Sequence, residues 1–377
     1  MEINRKLSDT ITKKIRSTNK VIIIYGARQV GKTTFAKQIL TKLNYKTLKI
    51  NADIDEYIDI LSSRNINKLQ SLVHGYDMIF IDEAQRIPDI GINLKILKDE
   101  IPKLKILVTG SSSIDIAGAI SESLTGRKQT YSLFPLSIQE IGAKKNKFEI
   151  NRELENLLVY GAYPEVYTNI NMEDKIDLLM EISTSYLYKD ILELSNIKYH
   201  RKIKDLLRLL AFQIGNEVSI SELANALRIN QETIVNYLNL LEKSFVIFRL
   251  FGFSKNLRKE IRKKDKFYFF DLGIRNAIIG NFNYLDRRND IGGLWENFII
   301  SERRKYLEYN KLRANSYFWR TYTGAELDYI EEKSGNLHGF EIKYTKLRKN
   351  APKTWVSEYV NADFTSINKD NYLDILL

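Results

Sequence analysis

The sequence predicts an α/β protein in three parts: a parallel sheet built around a glycine-rich loop, then a helical module, then a second and smaller α/β unit. Three observations carry this. Over the first 150 residues, short β-branched runs alternate with helix-length amphipathic stretches, the rhythm of strands crossed over by helices. A glycine-rich string sits between one such strand and the helix after it. From about Glu165 the pattern changes to long 3.6-residue periods, as in Lys175–Leu194 and Lys202–Ile214, with few turn formers between them.

A chain of 377 residues exceeds the size of one core, so several domains are expected, here residues 1–165, 166–285 and 286–377. With 44% hydrophobic and 28% charged residues, the composition excludes a disordered or fibrous chain. The longest apolar runs, such as Val21–Ile24, have strand length and fall far short of the roughly 20 residues that cross a bilayer. The first residues lack the apolar stretch of a secretory signal, so a cytoplasmic protein without membrane attachment is expected. The absence of cysteine excludes disulfides, cysteine-ligated zinc and thiol catalysis together. His74, His200 and His338 are scattered with no ligand spacing. Fifty-eight Lys and Arg against 47 Asp and Glu give a net charge of +11, which favours a polyanionic partner.

The expected strands of the first part are Val21–Tyr25, Thr47–Asn51, Met78–Ile81, Ile106–Thr109 and Gln129–Leu133. After the first of them comes Gly26-Ala27-Arg28-Gln29-Val30-Gly31-Lys32-Thr33, followed by Thr34 inside an amphipathic helix. This is G-x-x-x-x-G-K-[ST] in the strand-to-helix setting its mechanism requires. The glycines let successive N–H groups face phosphate oxygens, Lys32 reaches the terminal phosphates, and the Thr33 hydroxyl serves Mg²⁺. ATP with Mg²⁺ is the expected cofactor. The strand Met78–Ile81 leads into Asp82-Glu83, where Asp82 can hold the metal's water shell and Glu83 can polarise an attacking water. Two adjacent acids point to hydrolysis as well as binding. Ser111, just past the strand ending at Thr109, is either a sensor of the γ-phosphate or a turn serine. Arg127, before the strand Gln129–Leu133, either projects towards another subunit's nucleotide, making the protein a homo-oligomer, or is a solvated surface arginine.

The strings GARQVGKTTFAK, IFIDEAQRIPD, ILVTGSSS, SLTGRKQTYSLFPLS and GAYPEV, with KFYFFDLGIRNAI further on, resemble the AAA-type ATPases of bacteria and archaea that carry a C-terminal domain of unknown function. The resemblance spans nearly the whole chain. It implies an AAA+ fold related to the replication-initiator group, with Ser111 in the sensor-1 place and Arg127 in the arginine-finger place. It supplies no substrate.

Ser219–Lys243 has helix-turn-helix spacing: Ser221 as a cap for Glu222–Leu227, a turn at Arg228–Asn230, and a second helix over Gln231–Lys243. Two β-rich runs, Phe245–Phe251 and Phe267–Asp271, would make it a winged helix. The loop between them, Lys255 to Lys266, holds Lys255, Arg258, Lys259, Arg262, Lys263, Lys264 and Lys266 against Glu260 and Asp265. Such a wing either lies on DNA phosphates or is simply solvated. Gln231, Glu232 and Asn236 would meet base edges, and the scarcity of Lys and Arg on that helix predicts mostly non-specific duplex contact.

The last part reads as a helix from Gly292 and strands Ser316–Thr321, Glu326–Glu331 and Gly339–Tyr344. Asp328 ends an alternating run, and Glu341-Ile-Lys343 lies on the next strand but shares a face with it if the strands pair. The pattern resembles the PD-(D/E)xK nuclease motif of restriction-endonuclease-like domains, with Glu296 in that group's additional acidic position. The resemblance implies Mg²⁺ or Mn²⁺ on Asp328 and Glu341, with Lys343 orienting the hydrolytic water. The motif departs in having no proline before Asp328. The alternatives are an active metal-dependent DNA endonuclease or an inert tail on a nucleotide-gated DNA-binding or signalling regulator.

Overall fold

A computed structural model describes residues 3–111, 123–186, 200–254 and 264–377. Val21–Tyr25 (β1), Thr47–Asn51 (β2), Met78–Asp82 (β3), Lys105–Gly110 (β4) and Lys128–Ser132 (β5) form a five-stranded sheet in the order β2-β3-β4-β1-β5. Every pairing in it is parallel. All five residues of β1 are buried, as are the first four of β3, because helices cover both faces and leave no polar side to alternate with. One core cluster joins Val21, Ile23, Ile50, Ile79, Ile81, Ile106 and Val108 to Leu94 and Leu97 of the helix Ile90–Glu100. The order places β1 between β4 and the edge strand β5, where the connections part to either side. The crevice beyond its carboxyl end is where such sheets bind ligands.

The chain divides into two compact units, the first running to Phe134 and including this sheet. The second holds a seven-stranded sheet in the order β12-β11-β10-β9-β7-β8-β6. Its strands are Glu217–Val218 (β6), Ile247–Gly252 (β7), Asp265–Phe269 (β8), Asn315–Arg320 (β9), Glu326–Lys333 (β10), Asn336–Ile342 (β11) and Asp363–Ile367 (β12). Parallel pairing of Phe251 with Tyr317 and of Gly252 with Phe318 continues β7 into β9. The strands expected of the wing and those expected of the C-terminal α/β unit therefore lie in one sheet.

Before β7, helices Ile220–Leu227 and Gln231–Lys243 flank a turn in which Arg228 takes the left-handed conformation at φ +53°. The first is capped by Ser219, whose Oγ accepts the Glu222 N–H at 3.3 Å, rather than by Ser221. Ser221 instead hydrogen-bonds Ser219 at 2.9 Å. Glu242, on the second helix, accepts the Arg249 N–H at 3.0 Å and so ties that helix to β7. Among the described residues, no helix is long and apolar enough to cross a membrane.

Candidate functional sites

In the first unit the chain leaves β1 and passes directly into the loop. A Cβ added to Gly26 would lie 2.2 Å from the Leu133 carbonyl oxygen, so only glycine fits there. Gly31, at φ +88°, turns the backbone into the helix Lys32–Lys42. The Lys32 ammonium is buried and donates to the carbonyls of Gly26 and Ala27, each at 3.0 Å. Its charge thus sits inside the curl of the loop, at a helix N-terminus, where an anion is favoured. Val30 is fully buried, Ala27, Arg28 and Gln29 are half-buried, and Thr34 faces outward.

Across the crevice, Thr33 Oγ1 donates to Asp82 Oδ2 at 2.7 Å. Thr109 Oγ1 hydrogen-bonds the other oxygen, Asp82 Oδ1. A carboxylate held by two hydroxyls at the end of β3, beside the Lys32 helix, is the donor set that hard Mg²⁺ with retained waters takes. Thr109 and Arg5 are participants that no motif names. Arg5 is buried and donates to the Val30 carbonyl at 3.0 Å and to the Phe134 carbonyl, bracing the loop from behind. A threonine closing the apolar run Ile106–Val108 was the one available signal for Thr109, whereas Arg5 gave none.

Glu83 follows Asp82 in the left-handed conformation, φ +53° and ψ +41°. Ser111 is buried, and its N–H donates to Gln85 Oε1 at 3.3 Å. Arg127 stands at the start of β5, its carbonyl accepting the Val21 N–H at 2.8 Å. That is the amino end of the sheet, about 13–16 Å of strand from Gly26. Its guanidinium is half-exposed and pairs with Asp99 at 2.7 Å.

In the second unit, antiparallel pairing of β10 with β11, Tyr329 opposite Phe340, brings Asp328 beside Glu341 and Lys343. Register shifts between Leu327 and Ile330 where β10 meets β9. Asp328 Oδ2 accepts the Ile342 N–H at 2.7 Å and the Lys343 ammonium at 3.1 Å. Lys343 also lies 3.3 Å from Glu341 Oε1, and Arg348 lies 3.6 Å from Glu341 Oε2. That last oxygen is buried and has no hydrogen-bond partner. Burial, and then the neighbouring Asp328, push the Glu341 carboxyl above its ordinary value. Burial opposes the Lys343 charge, but Asp328 and Glu341 outweigh it and hold the ammonium above its ordinary value.

Glu296, on the helix Ile291–Tyr309, accepts from Lys266 Nζ at 2.9 Å and from the Tyr268 hydroxyl at 2.6 Å. Burial raises its carboxyl, Lys266 opposes that, and Asp328 adds to it. Glu296 thus feels Asp328 while its hydrogen bonds go to β8. Among the described residues, no group of three or more His, Asp or Glu is placed to hold a metal ion. A groove of about 470 Å³ opens beside Glu341 and is rimmed by Lys343, Lys346 and Arg348.

Of the cations expected on the wing, Lys255, Arg258, Lys259, Arg262 and Lys263 lie outside the described residues. Lys264 is exposed, 3.6 Å from Glu222. Lys266 is buried against Glu296 and is not on the surface. Gln231, Glu232 and Asn236 are all exposed on the second helix of the pair.

The parallel sheet, the loop and the paired hydroxyls on Asp82 define a P-loop ATPase. Residues 18–142 match the family described as AAA domain, residues 151–284 a domain of unknown function (DUF8612), and residues 291–367 a domain of unknown function (DUF4143). An uncharacterized protein of Mycobacterium tuberculosis is 30% identical over 328 residues, covering 86% of this chain and 70% of that protein. One of Methanocaldococcus jannaschii is 28% identical over 313 residues, covering 76% and 67%. Among solved structures, the Walker-type ATPase of Pyrococcus abyssi is 17% identical, covers 73% of this chain and 95% of its own, and has a TM-score of 0.48. The chain belongs to the family of P-loop ATPases in which an AAA domain is followed by the DUF4143 domain.

Proposed function

We propose that the protein is a Mg²⁺-dependent ATP hydrolase that acts on DNA. The observation that carries the first half is the convergence at the carboxyl end of the parallel sheet. Lys32 lies in the curl of the loop, Thr33 and Thr109 hold Asp82, and Glu83 is the next residue. In this reading residues 26–34 cradle the phosphates and Lys32 neutralises their developing charge. Thr33 and Asp82 hold Mg²⁺ directly or through its waters. Glu83 polarises the attacking water, and Ser111 reports on the γ-phosphate. Arg127, tied on its own chain to the amino end of the sheet, serves the nucleotide of a neighbouring copy, so the active form is a homo-oligomer.

DNA is supported by the helix pair with its exposed Gln231, Glu232 and Asn236, read as a winged helix with β7 and β8, and by the net charge of +11. The C-terminal strands are read as a restriction-endonuclease-like unit in which Asp328 and Glu341 would bind Mg²⁺ or Mn²⁺. The buried Glu341 Oε2, with no hydrogen bond and the Arg348 guanidinium 3.6 Å away, fits a hard cation. A second reading, a nucleotide-gated DNA-binding regulator with an inert tail, is favoured by one contact: Lys343 already lies between both carboxylates.

Steady-state ATPase rates with and without duplex DNA separate the two. A DNA-driven hydrolase is strongly stimulated, and a regulator turns over slowly in both conditions. Lys32→Ala abolishes hydrolysis, and Glu83→Gln traps bound ATP with turnover far below the parent's. DNA affinity falls with salt at a log–log slope of about −0.9 per phosphate contact, and replacing Arg262, Lys263 and Lys264 by Gln flattens it. An unchanged slope would assign those charges to solubility.

A further inference from the structure

The left-handed turn at Glu83 sends the chain into a short 3₁₀ turn, Ala84–Arg86, with Ala84 fully buried beneath it. The turn is pinned from outside by an ion pair between Arg86 and Asp53. This geometry brings Gln85 back alongside the acid two residues before it. Gln85 Nε2 donates to Glu83 Oε2, and Gln85 Oε1 accepts the Ser111 N–H at 3.3 Å. Chemistry sets the amide's orientation: a backbone N–H only donates, so the atom facing Ser111 is the oxygen and the NH₂ faces the carboxylate. One side chain therefore spans from the end of β3 to the end of β4.

We propose that Gln85 is a positioning residue for hydrolysis, fixing the rotamer of Glu83 and tying it to the backbone at Ser111. The inference rests on the reading of Glu83 as the group that polarises water. A glutamate has three rotatable bonds, and polarising water requires one of its oxygens at a defined place. With Oε2 held by Gln85, Oε1 keeps its lone pairs for the water. Because the other end of the amide is on Ser111, any shift of that backbone on engaging the γ-phosphate moves the carboxylate with it. Gln85 itself need not touch the nucleotide for this coupling.

The test uses the full chain with Mg·ATP and measures kcat and KM for Gln85→Ala, Gln85→Glu, Glu83→Gln and the double variant Glu83→Gln/Gln85→Ala. Gln85→Ala loses about tenfold or more in kcat while KM stays within about twofold, since positioning is lost and binding is not. Gln85→Glu keeps an acceptor for Ser111 but sets carboxylate against carboxylate, so its kcat falls at least as far. It is nearly isosteric, and ATP affinity close to that of the parent shows the fold intact. The double variant is no slower than Glu83→Gln alone, because the tether acts only through Glu83. Parental kcat in both Gln85 variants, a KM that rises in step with the loss, or additive losses in the double variant would each overturn the proposal. If Glu83→Gln itself turns over normally, the reading of Glu83 falls and the tether with it. If Glu83→Gln is inactive and the Gln85 variants are not, only the tether falls.

Discussion

The Asp271 carboxylate accepts the Ala162 N–H at 2.7 Å across 109 residues of sequence, and with its other oxygen caps the helix Leu272–Ile279 through the Ile274 N–H at 3.2 Å. Five residues on, Asn276 Nδ2 donates to the Leu158 and Val159 carbonyls at 3.0 and 2.8 Å. The strings GAYPEV and KFYFFDLGIRNAI, separate signatures in the sequence, are thus two halves of one buried joint. Their residues hold the C-terminal unit together. Asp271→Ala strands buried donors and costs about 2–4 kcal/mol, read as a lower urea midpoint of that unit's transition. Asp271→Asn keeps an acceptor and loses less. Equal losses in the two variants would show that the charge, and not the acceptor, matters.

A pH dependence follows from Asp265, at the start of β8. Burial, opposed by Arg249 3.5 Å away and aided by Glu242, pushes its carboxyl up to about 6. The folded chain therefore holds this proton more tightly than the unfolded one, whose carboxyl titrates near the ordinary value. Stability is greatest below the unfolded value and declines as pH rises towards about 6, by roughly 1–3 kcal/mol in all. Comparing urea midpoints of the parent and Asp265→Asn at intervals from pH 4 to 7 checks this. The Asn variant lacks the decline, and a parallel decline in both would place its origin elsewhere.

What could be read in advance was local. The β1 strand, the glycine loop and the helix after it are contiguous, so one stretch of sequence carries both the motif and its setting, and all five strands of the first sheet lie within a residue or two of where periodicity puts them. The antiparallel pair holding Asp328 and Glu341 was legible for the same reason, since a short turn fixes its register. Contacts between distant segments were not. Nothing near Glu296 announces that Lys266 and Tyr268 will claim it, and no local pattern joins Phe251 to Tyr317. Its sequence neighbours group Lys266 with the surface cations, yet β8 is buried from Lys266 to Phe269 and the ammonium is taken by Glu296. Gln85 escaped because its role depends on the left-handed turn at Glu83, which side-chain periodicity does not encode.

Arg127 offers a test of assembly. Its pairing with Asp99 at 2.7 Å is half-exposed, and such a pair contributes little to stability, so losing it costs the fold at most about 1 kcal/mol. An arginine supplied in trans stabilises the transition state by far more. Arg127→Ala is expected to unfold at nearly the parental temperature while losing about 10³-fold in kcat. In the parent, activity per chain rises with protein concentration as copies associate. A rate independent of concentration, with no oligomer by light scattering in the presence of ATP, would assign Arg127 to its surface ion pair alone.

The C-terminal carboxylates pose the sharpest choice. Glu341 and Asp328 are both nearly inaccessible, and two buried acids on adjacent strands repel unless a cation lies between them. Lys343 supplies one such cation at 3.1 and 3.3 Å, leaving Glu341 Oε2 buried without a hydrogen bond among the described residues, with Arg348 at 3.6 Å. A divalent metal on the carboxylates would satisfy that oxygen and displace the ammonium towards the water it is expected to orient. A structural ion pair would do neither. The discriminating measurement is a thermal melt with and without Mn²⁺, beside cleavage of linear, nicked and branched DNA, for the parent, Glu341→Ala and Lys343→Ala. For a metal site, Mn²⁺ raises the parental melting temperature and that of Lys343→Ala but not that of Glu341→Ala, and cleavage is lost in both variants. For an ion pair, Mn²⁺ shifts none of them and no substrate is cut, with or without ATP. Lys343→Ala is then the most destabilised, since it leaves two buried carboxylates facing each other with the cation between them gone.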